Sequence, residues 1–132
     1  MTYAETIDYL YKMQHHGIKP GLARMTSLLA LFNQPQKAYK SVHIAGTNGK
    51  GSTQAMIRAG LEGAGKRVHA YTSPHLVRFN ERVRLAGELV SDQRLNEALE
   101  LCEKHNGTRP ITYFEITTAA AFYLFAETQA DY

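Results

Sequence analysis

Val42-His43-Ile44-Ala45-Gly46-Thr47-Asn48-Gly49-Lys50-Gly51-Ser52-Thr53 is the run on which the reading of this chain turns. A short β-prone segment, residues 41–45, passes directly into glycines, and a helical pattern carrying Met56, Ile57, Ala59, Gly60 and Leu61 follows. Glycines let the main chain fold tightly enough for successive N–H groups to converge, and the start of the next helix adds its positive end at the same point. Such a point attracts phosphate. Lys50 supplies a mobile full charge for β- and γ-phosphates, and a hydroxyl just beyond it suits Mg²⁺ or a phosphate oxygen. Aligning Gly49-Lys50 on the Gly-Lys of the standard phosphate loop puts Ile44 at its first glycine and Gly51 at its hydroxyl position. Either Ser52 or Thr53 is left to play the hydroxyl role. The bland alternative, a glycine turn with a solvated lysine, is disfavoured by the strand-to-helix context that the motif requires.

Outward from the loop, the pattern is that of an α/β chain. Thr2 and Glu5 have capping-box spacing ahead of a helix over residues 3–13, which His15-His16-Gly17 ends as a solvated terminus rather than a metal site. Leu22, Met25, Leu28, Leu29 and Phe32 form the stripe of a second short helix. After the glycine loop and its helix, residues 67–71 read as a strand, giving a strand-loop-helix-strand unit of the parallel kind. Residues 72–82 read as a long loop and 83–90 as a small hairpin centred on Ala86-Gly87. Ser91 caps a helix carrying Leu95, Ala98, Leu99 and Cys102; Thr112 and Glu115 box the start of a strongly apolar last helix. Asp131-Tyr132 has the look of a strand beginning. No repeat or low-complexity tract interrupts the chain.

Composition narrows the function. A length of 132 residues, 44% hydrophobic and 20% charged, suits one compact domain or part of one. The net charge of +3 is spread along the chain, which argues against nucleic acid and for an anionic small molecule. Cys102, the only cysteine, reads as a small apolar helix residue in a reducing compartment, and no segment has the length and apolarity of a signal or membrane span. These features predict a cytoplasmic protein without a membrane partner.

The run Gly46-Thr47-Asn48-Gly49-Lys50-Gly51-Ser52 resembles the phosphate loop of the folylpolyglutamate and dihydrofolate synthases of the Mur ligase superfamily. Tyr71-Thr72-Ser73-Pro74-His75-Leu76, continuing through Arg78-Phe79-Asn80-Glu81-Arg82, resembles that family's second signature. Thr112-Tyr113-Phe114-Glu115, followed by Thr117, resembles its third. The resemblance implies that Gly46, Thr47, Asn48, Gly49, Lys50, Gly51, Ser52 and Thr53 bind ATP, with Lys50 acting in catalysis, and that Ser73 binds Mg²⁺. It further implies that Thr112, Tyr113, Phe114 and Glu115, with the segment Pro20, Gly21 and Leu22, line the site for dihydropteroate or a folate. The implied reaction phosphorylates the carboxylate of that acid and lets the amine of L-glutamate displace the phosphate to form an amide.

Each of these residues also has a plainer reading. Ser73 before Pro74 can begin a turn, and Thr112 with Glu115 is a sufficient helix cap. His75, a lone loop histidine, receives no role, and Arg78, Arg82 and Arg84 suit a solvent-facing row at least as well as an anion site. The expected architecture is a parallel, P-loop-type sheet flanked by helices, with residues 1–132 as the first part of a truncated ATP-binding domain. The family's remaining metal ligands and its C-terminal glutamate-binding domain are expected to lie outside this sequence, in a full-length monomer. A ligase for cell-wall precursors and a non-enzymatic nucleotide-binding module are the competing functions.

Overall fold

The computed structural model describes residues 1–13 and 21–132, so the expected helix end at His15-His16-Gly17 and the candidate Pro20 lie outside the described residues. The elements run α1 (Tyr3–Lys12), α2 (Ala23–Leu31), α3 (Lys50–Gly63), β1 (Ala70–Tyr71), β2 (Val83–Leu85), β3 (Glu88–Leu89), α4 (Asp92–Asn106) and α5 (Tyr113–Glu127), with short 3-10 turns at Pro35–Lys37 and Phe79–Arg82. Every expected helix is present, and the caps explain where three of them start. The Thr2 hydroxyl accepts from the Glu5 N–H while the Glu5 carboxylate accepts from the Thr2 N–H, and Thr112 and Glu115 repeat the arrangement on α5. Ser91 accepts from the Arg94 N–H to open α4.

The core is helical. α5 packs against α4, α2 and the 3-10 turn at Pro35–Lys37, and α1 packs on α4. Leu10, Leu28, Leu95, Leu99, Val83, Ile116 and Cys102 are fully buried among them. Burying each of the larger aliphatic chains stabilises the fold by about 1.5–3 kcal/mol. Ala119, Ala120 and Ala121 are also fully buried, so α5 is apolar on nearly all sides and its neighbours approach its backbone closely.

The sheet departs from expectation. It has three strands in the order β1-β2-β3, and both pairings are antiparallel, with Ala70 opposite Arg84 and Arg84 opposite Leu89. The hairpin over 83–90 is as expected, with positive φ at both Ala86 (51°) and Gly87 (94°), as its two-residue turn requires. The parallel sheet is not formed by the described residues. Residues 41–45 join no ladder, and all except Ile44 are exposed. A parallel strand needs a hydrogen-bonded neighbour and cover on both faces, and neither is supplied here. Close to that arrangement, His69 N–H donates to the Tyr132 carbonyl at 2.9 Å and Tyr132 N–H reaches the Arg67 carbonyl at 3.4 Å. These two bonds have the slant of a parallel pair but do not extend into a ladder.

Candidate functional site

The glycine run forms a loop whose last residue, Gly49, is the N-cap of α3 in the left-handed region at φ 73°, and Gly46 also has positive φ. An added Cβ at Gly49 would meet no atom within 4 Å, so it is the backbone angle, not crowding, that calls for glycine there. Thr53 N–H makes its helical bond to the Gly49 carbonyl at 2.9 Å, which leaves the preceding first-turn amides without an intrahelical acceptor. α3 has no side-chain cap and no acidic residue in its first turn. Its positive end is therefore not neutralised from within, and the exposed loop presents N–H groups, the Lys50 ammonium and the hydroxyls of Ser52 and Thr53 to solvent. Lys50 Nζ folds back to donate to the Gly46 carbonyl, across the loop.

The Ser73 segment is linked to this helix. Gln54, one turn beyond Lys50, donates from Nε2 to the Tyr71 carbonyl at 3.0 Å, two residues before Ser73. Ser73 is exposed, and the bond between Ser73 and Pro74 is cis. The following loop closes on Glu81, whose carboxylate accepts the N–H groups of Leu76 (3.0 Å), Val77 (2.9 Å) and Arg78 (2.7 Å). Those three donors pull the Glu81 carboxyl down to about 2.

Of the arginines expected to form a solvent-facing row, Arg82 is buried instead. Its guanidinium lies over the rings of Phe79 (5.3 Å) and Tyr113 (5.4 Å), and its Nε donates to His75 Nδ1 at 2.8 Å. Cation–π contact with these two rings takes the charge out of the solvent-facing pattern that strand alternation suggests. Arg78 is exposed and pairs with Asp92 at 2.7 Å. His75 joins the cluster through Nε2, 2.9 Å from the Tyr11 hydroxyl. Burial and the neighbouring Arg82 charge lower its pKa, which suits a neutral ring accepting from Arg82.

A cavity of about 680 Å³ opens between α2 and α5. Gly21, Leu22, Thr112, Phe114 and Glu115 line it together, joined by Met25, Leu29 and Phe122. Tyr113 does not line it. It points to the opposite side of α5, stacked on Tyr11 with ring centroids 5.7 Å apart, and burial pushes its hydroxyl up to about 12. Helical geometry separates Tyr113 from its neighbours, because successive residues on a helix face different directions. Glu115 is buried and pairs with Arg24, the guanidinium Nη2 lying 2.7 Å from Oε1. Cys102 is inert by position, fully buried with its thiol pushed up to about 12 by burial.

Sequence reasoning passed over Gln54, Arg24 and Glu81. Only Glu81 left a signal, since its carboxylate three residues beyond Arg78 has the spacing of a capping box. Among the described residues, no group of three or more His, Cys, Asp or Glu side chains gathers to hold a metal, and no helix is long and apolar enough to cross a membrane.

No family model matches the chain. Individual proteins do. A dihydrofolate synthase/folylpolyglutamate synthase of Bacillus subtilis is 39% identical over 132 residues, covering 95% of this chain and 30% of its own length. The crystal structure of a bifunctional folylpolyglutamate synthase/dihydrofolate synthase from Yersinia pestis, complexed with AMPPNP and Mn ion, matches 99% of this chain and 32% of its own, with a TM-score of 0.91 and 34% identity. FolC of Escherichia coli in complex with DHPP and ADP matches 99% of this chain and 32% of its own, with a TM-score of 0.84 and 33% identity. The chain thus spans about 30% of the length of the relatives it matches. Its glycine loop, its Ser73 segment and its Thr112–Glu115 block all lie within the stretch shared with these proteins, and the chain belongs to the folylpolyglutamate synthase/dihydrofolate synthase family.

Proposed function

We propose that the protein containing these residues is an ATP-dependent ligase that joins the carboxylate of dihydropteroate or a folate to the amino group of L-glutamate through an acyl phosphate. The observation that carries this reading is that an uncapped, glycine-led helix start and a separate, largely apolar cavity occur on one chain that matches these synthases over nearly its whole length. The loop suits the phosphates of ATP and the cavity suits a flat ring system with a carboxylate at its far end. In this reading residues 1–132 form part of the ATP-binding domain. The bonds of Asp131 and Tyr132 to Arg67 and His69 suit the edge of a parallel P-loop sheet beside residues 67–71. The single cysteine, buried as a thiol, suits a cytoplasmic setting.

Bringing a carboxylate against the γ-phosphate joins two anions, so the site must supply fixed positive charge at a fixed distance. Lys50 and the first-turn amides of α3 supply it at the phosphates, and the walls of the cavity hold the acid in line. The donor set fits Mg²⁺: Ser73, with Ser52 or Thr53, offers oxygen ligands, while phosphate oxygens and water complete the shell of an ion that keeps several waters. When bound, Mg²⁺ neutralises charge on the phosphates. Ser73→Ala is therefore expected to raise the Mg²⁺ concentration needed for activity more than it lowers the melting temperature. A fall in melting temperature with an unchanged Mg²⁺ requirement would assign Ser73 to the turn alone.

The direct test is ADP release by the full-length protein with ATP, glutamate and, in turn, dihydropteroate, a folate or a muramyl peptide. Release with either pterin acid is expected. Release with the muramyl peptide alone would assign the protein to cell-wall synthesis, and nucleotide binding without release would make it a binding module.

A further inference from the structure

The carboxylate of Glu115 faces the cavity between α2 and α5, yet its acceptor capacity is already taken. Oε1 accepts from Arg24 Nη2 at 2.7 Å and Nε at 3.2 Å, and Oε2 accepts from Arg24 Nε at 3.0 Å and the Thr112 N–H at 2.9 Å. A carboxylate offers about four lone-pair sites, and these contacts occupy them. A substrate group seeking an acceptor here would have to displace the guanidinium or undo the cap of α5. Arg24, by contrast, stands on the other wall, one residue into α2.

That wall needs holding. α2 is nine residues long, starts at Leu22 without a side-chain cap, and has no acidic residue in its first turn. A helix this short does not persist by itself in water. Its second half is anchored by the buried Leu28 and Leu29, whereas Ala23, Thr26 and Ser27 are exposed and Leu22 is 79% exposed. At the first turn the Arg24 fork grips Glu115, and the same carboxylate caps α5, so one group organises both helix starts. Burial works to raise the Glu115 pKa, but Arg24 and the Thr112 N–H outweigh it and hold it below the ordinary carboxylate value, so the pair stays charged at neutral pH.

We propose that Arg24 is a positioning residue for the acid substrate: through Glu115 it clamps the first turn of α2 to the first turn of α5 and so fixes the distance between the two walls that receive the substrate's ring system. Arg24 acts through Glu115 and not on the reacting atoms. The inference rests on the ligase reading given above, and it assigns Glu115 to the clamp where the sequence placed it against substrate.

The test is steady-state kinetics on the full-length enzyme, with the KM for the pterin acid and the KM for ATP measured separately. Arg24→Gln is expected to raise the KM for the acid on the order of tenfold, leaving kcat and the KM for ATP within about twofold. Glu115→Gln is expected to do the same, and the double variant no worse than Glu115→Gln alone, because both single changes open one clamp. Ser91→Ala, a cap change on α4 away from the cavity, serves as a stability control and leaves the KM unchanged. An unchanged KM for the acid in Arg24→Gln, a parallel rise in both KM values, or effects that multiply in the double variant would each overturn the clamp. If Arg24→Gln fails to fold, Arg24→Lys carries the test, since lysine keeps the charge but lacks the fork: a rise in KM of about threefold supports the clamp and no rise overturns it. A parent enzyme that releases no ADP with any pterin acid would bring down the ligase reading and the clamp together, whereas an active parent with a normal Arg24→Gln variant removes the clamp alone.

Discussion

α5 and α3 are helices of nearly equal length, 15 and 14 residues, and they are held in opposite ways. Nine residues of α5 are buried, and it sits between α4, α2 and the 3-10 turn at Pro35–Lys37. α3 buries none of its residues, and Met56 on it is 73% exposed. The cavity wall therefore depends on contacts from distant parts of the chain, while the glycine loop depends on backbone angles set within a few residues. Damage to the first should appear as lost stability, and damage to the second as lost chemistry.

The largest expected effect tests the packed side. Leu99→Ala in the full-length protein is expected to cost about 2–5 kcal/mol in urea unfolding, against about 0.5 kcal/mol or less for Met56→Ala. Leu99 sits on α4 in the core that α4 and α5 share, so equal losses would show that α3 is as deeply packed as that core in the longer protein. On the chemical side, Lys50→Ala is expected to lower turnover on the order of a hundredfold or more with an unchanged melting temperature, because a fixed charge at a transferring phosphoryl group is worth several kcal/mol. Near-normal ADP release by that variant would remove the loop from the mechanism. Thr112→Ala removes one half of the α5 cap and is expected to cost about 1 kcal/mol, read as a lower melting temperature.

The smallest effect is a pH dependence. Glu81 has a folded-state pKa of about 2, below its ordinary value of 4.5, so its contribution is fully present above the ordinary value and fades as pH falls toward 2. The melting temperature of Glu81→Gln should then lie below that of the parent at neutral pH, with the gap closing between about pH 4.5 and 2. A gap that persists at the acid end would mean that the three N–H bonds to Glu81 are not what holds the loop.

How much was legible follows the same division. Helix starts are written locally, and the pairs Thr2 with Glu5 and Thr112 with Glu115 placed α1 and α5 correctly because each cap is completed within four residues. The glycine loop was legible for the same reason. The sheet was not, because whether residues 41–45 pair is decided by strands far away in the chain, and local β-propensity carries no record of a neighbour. Arg82 misled for a related reason: alternation along a hairpin marks a side as solvent-facing, and only the folded positions of Phe79 and Tyr113 give the guanidinium two rings to lie over. The grip of Arg24 on Glu115 spans 91 positions and has no sequence signature.

The burial of Cys102 has a practical consequence. A thiol with no solvent contact in the native state reacts with an alkylating reagent only when the surrounding helices part, so its labelling rate clocks the opening of the α4–α5 interface. Mass mapping of the α4 peptide would read that clock in the full-length protein, whatever other thiols it carries. Occupation of the loop by nucleotide and occupation of the cavity by a pterin acid could then be compared for how far each slows the same exposure event.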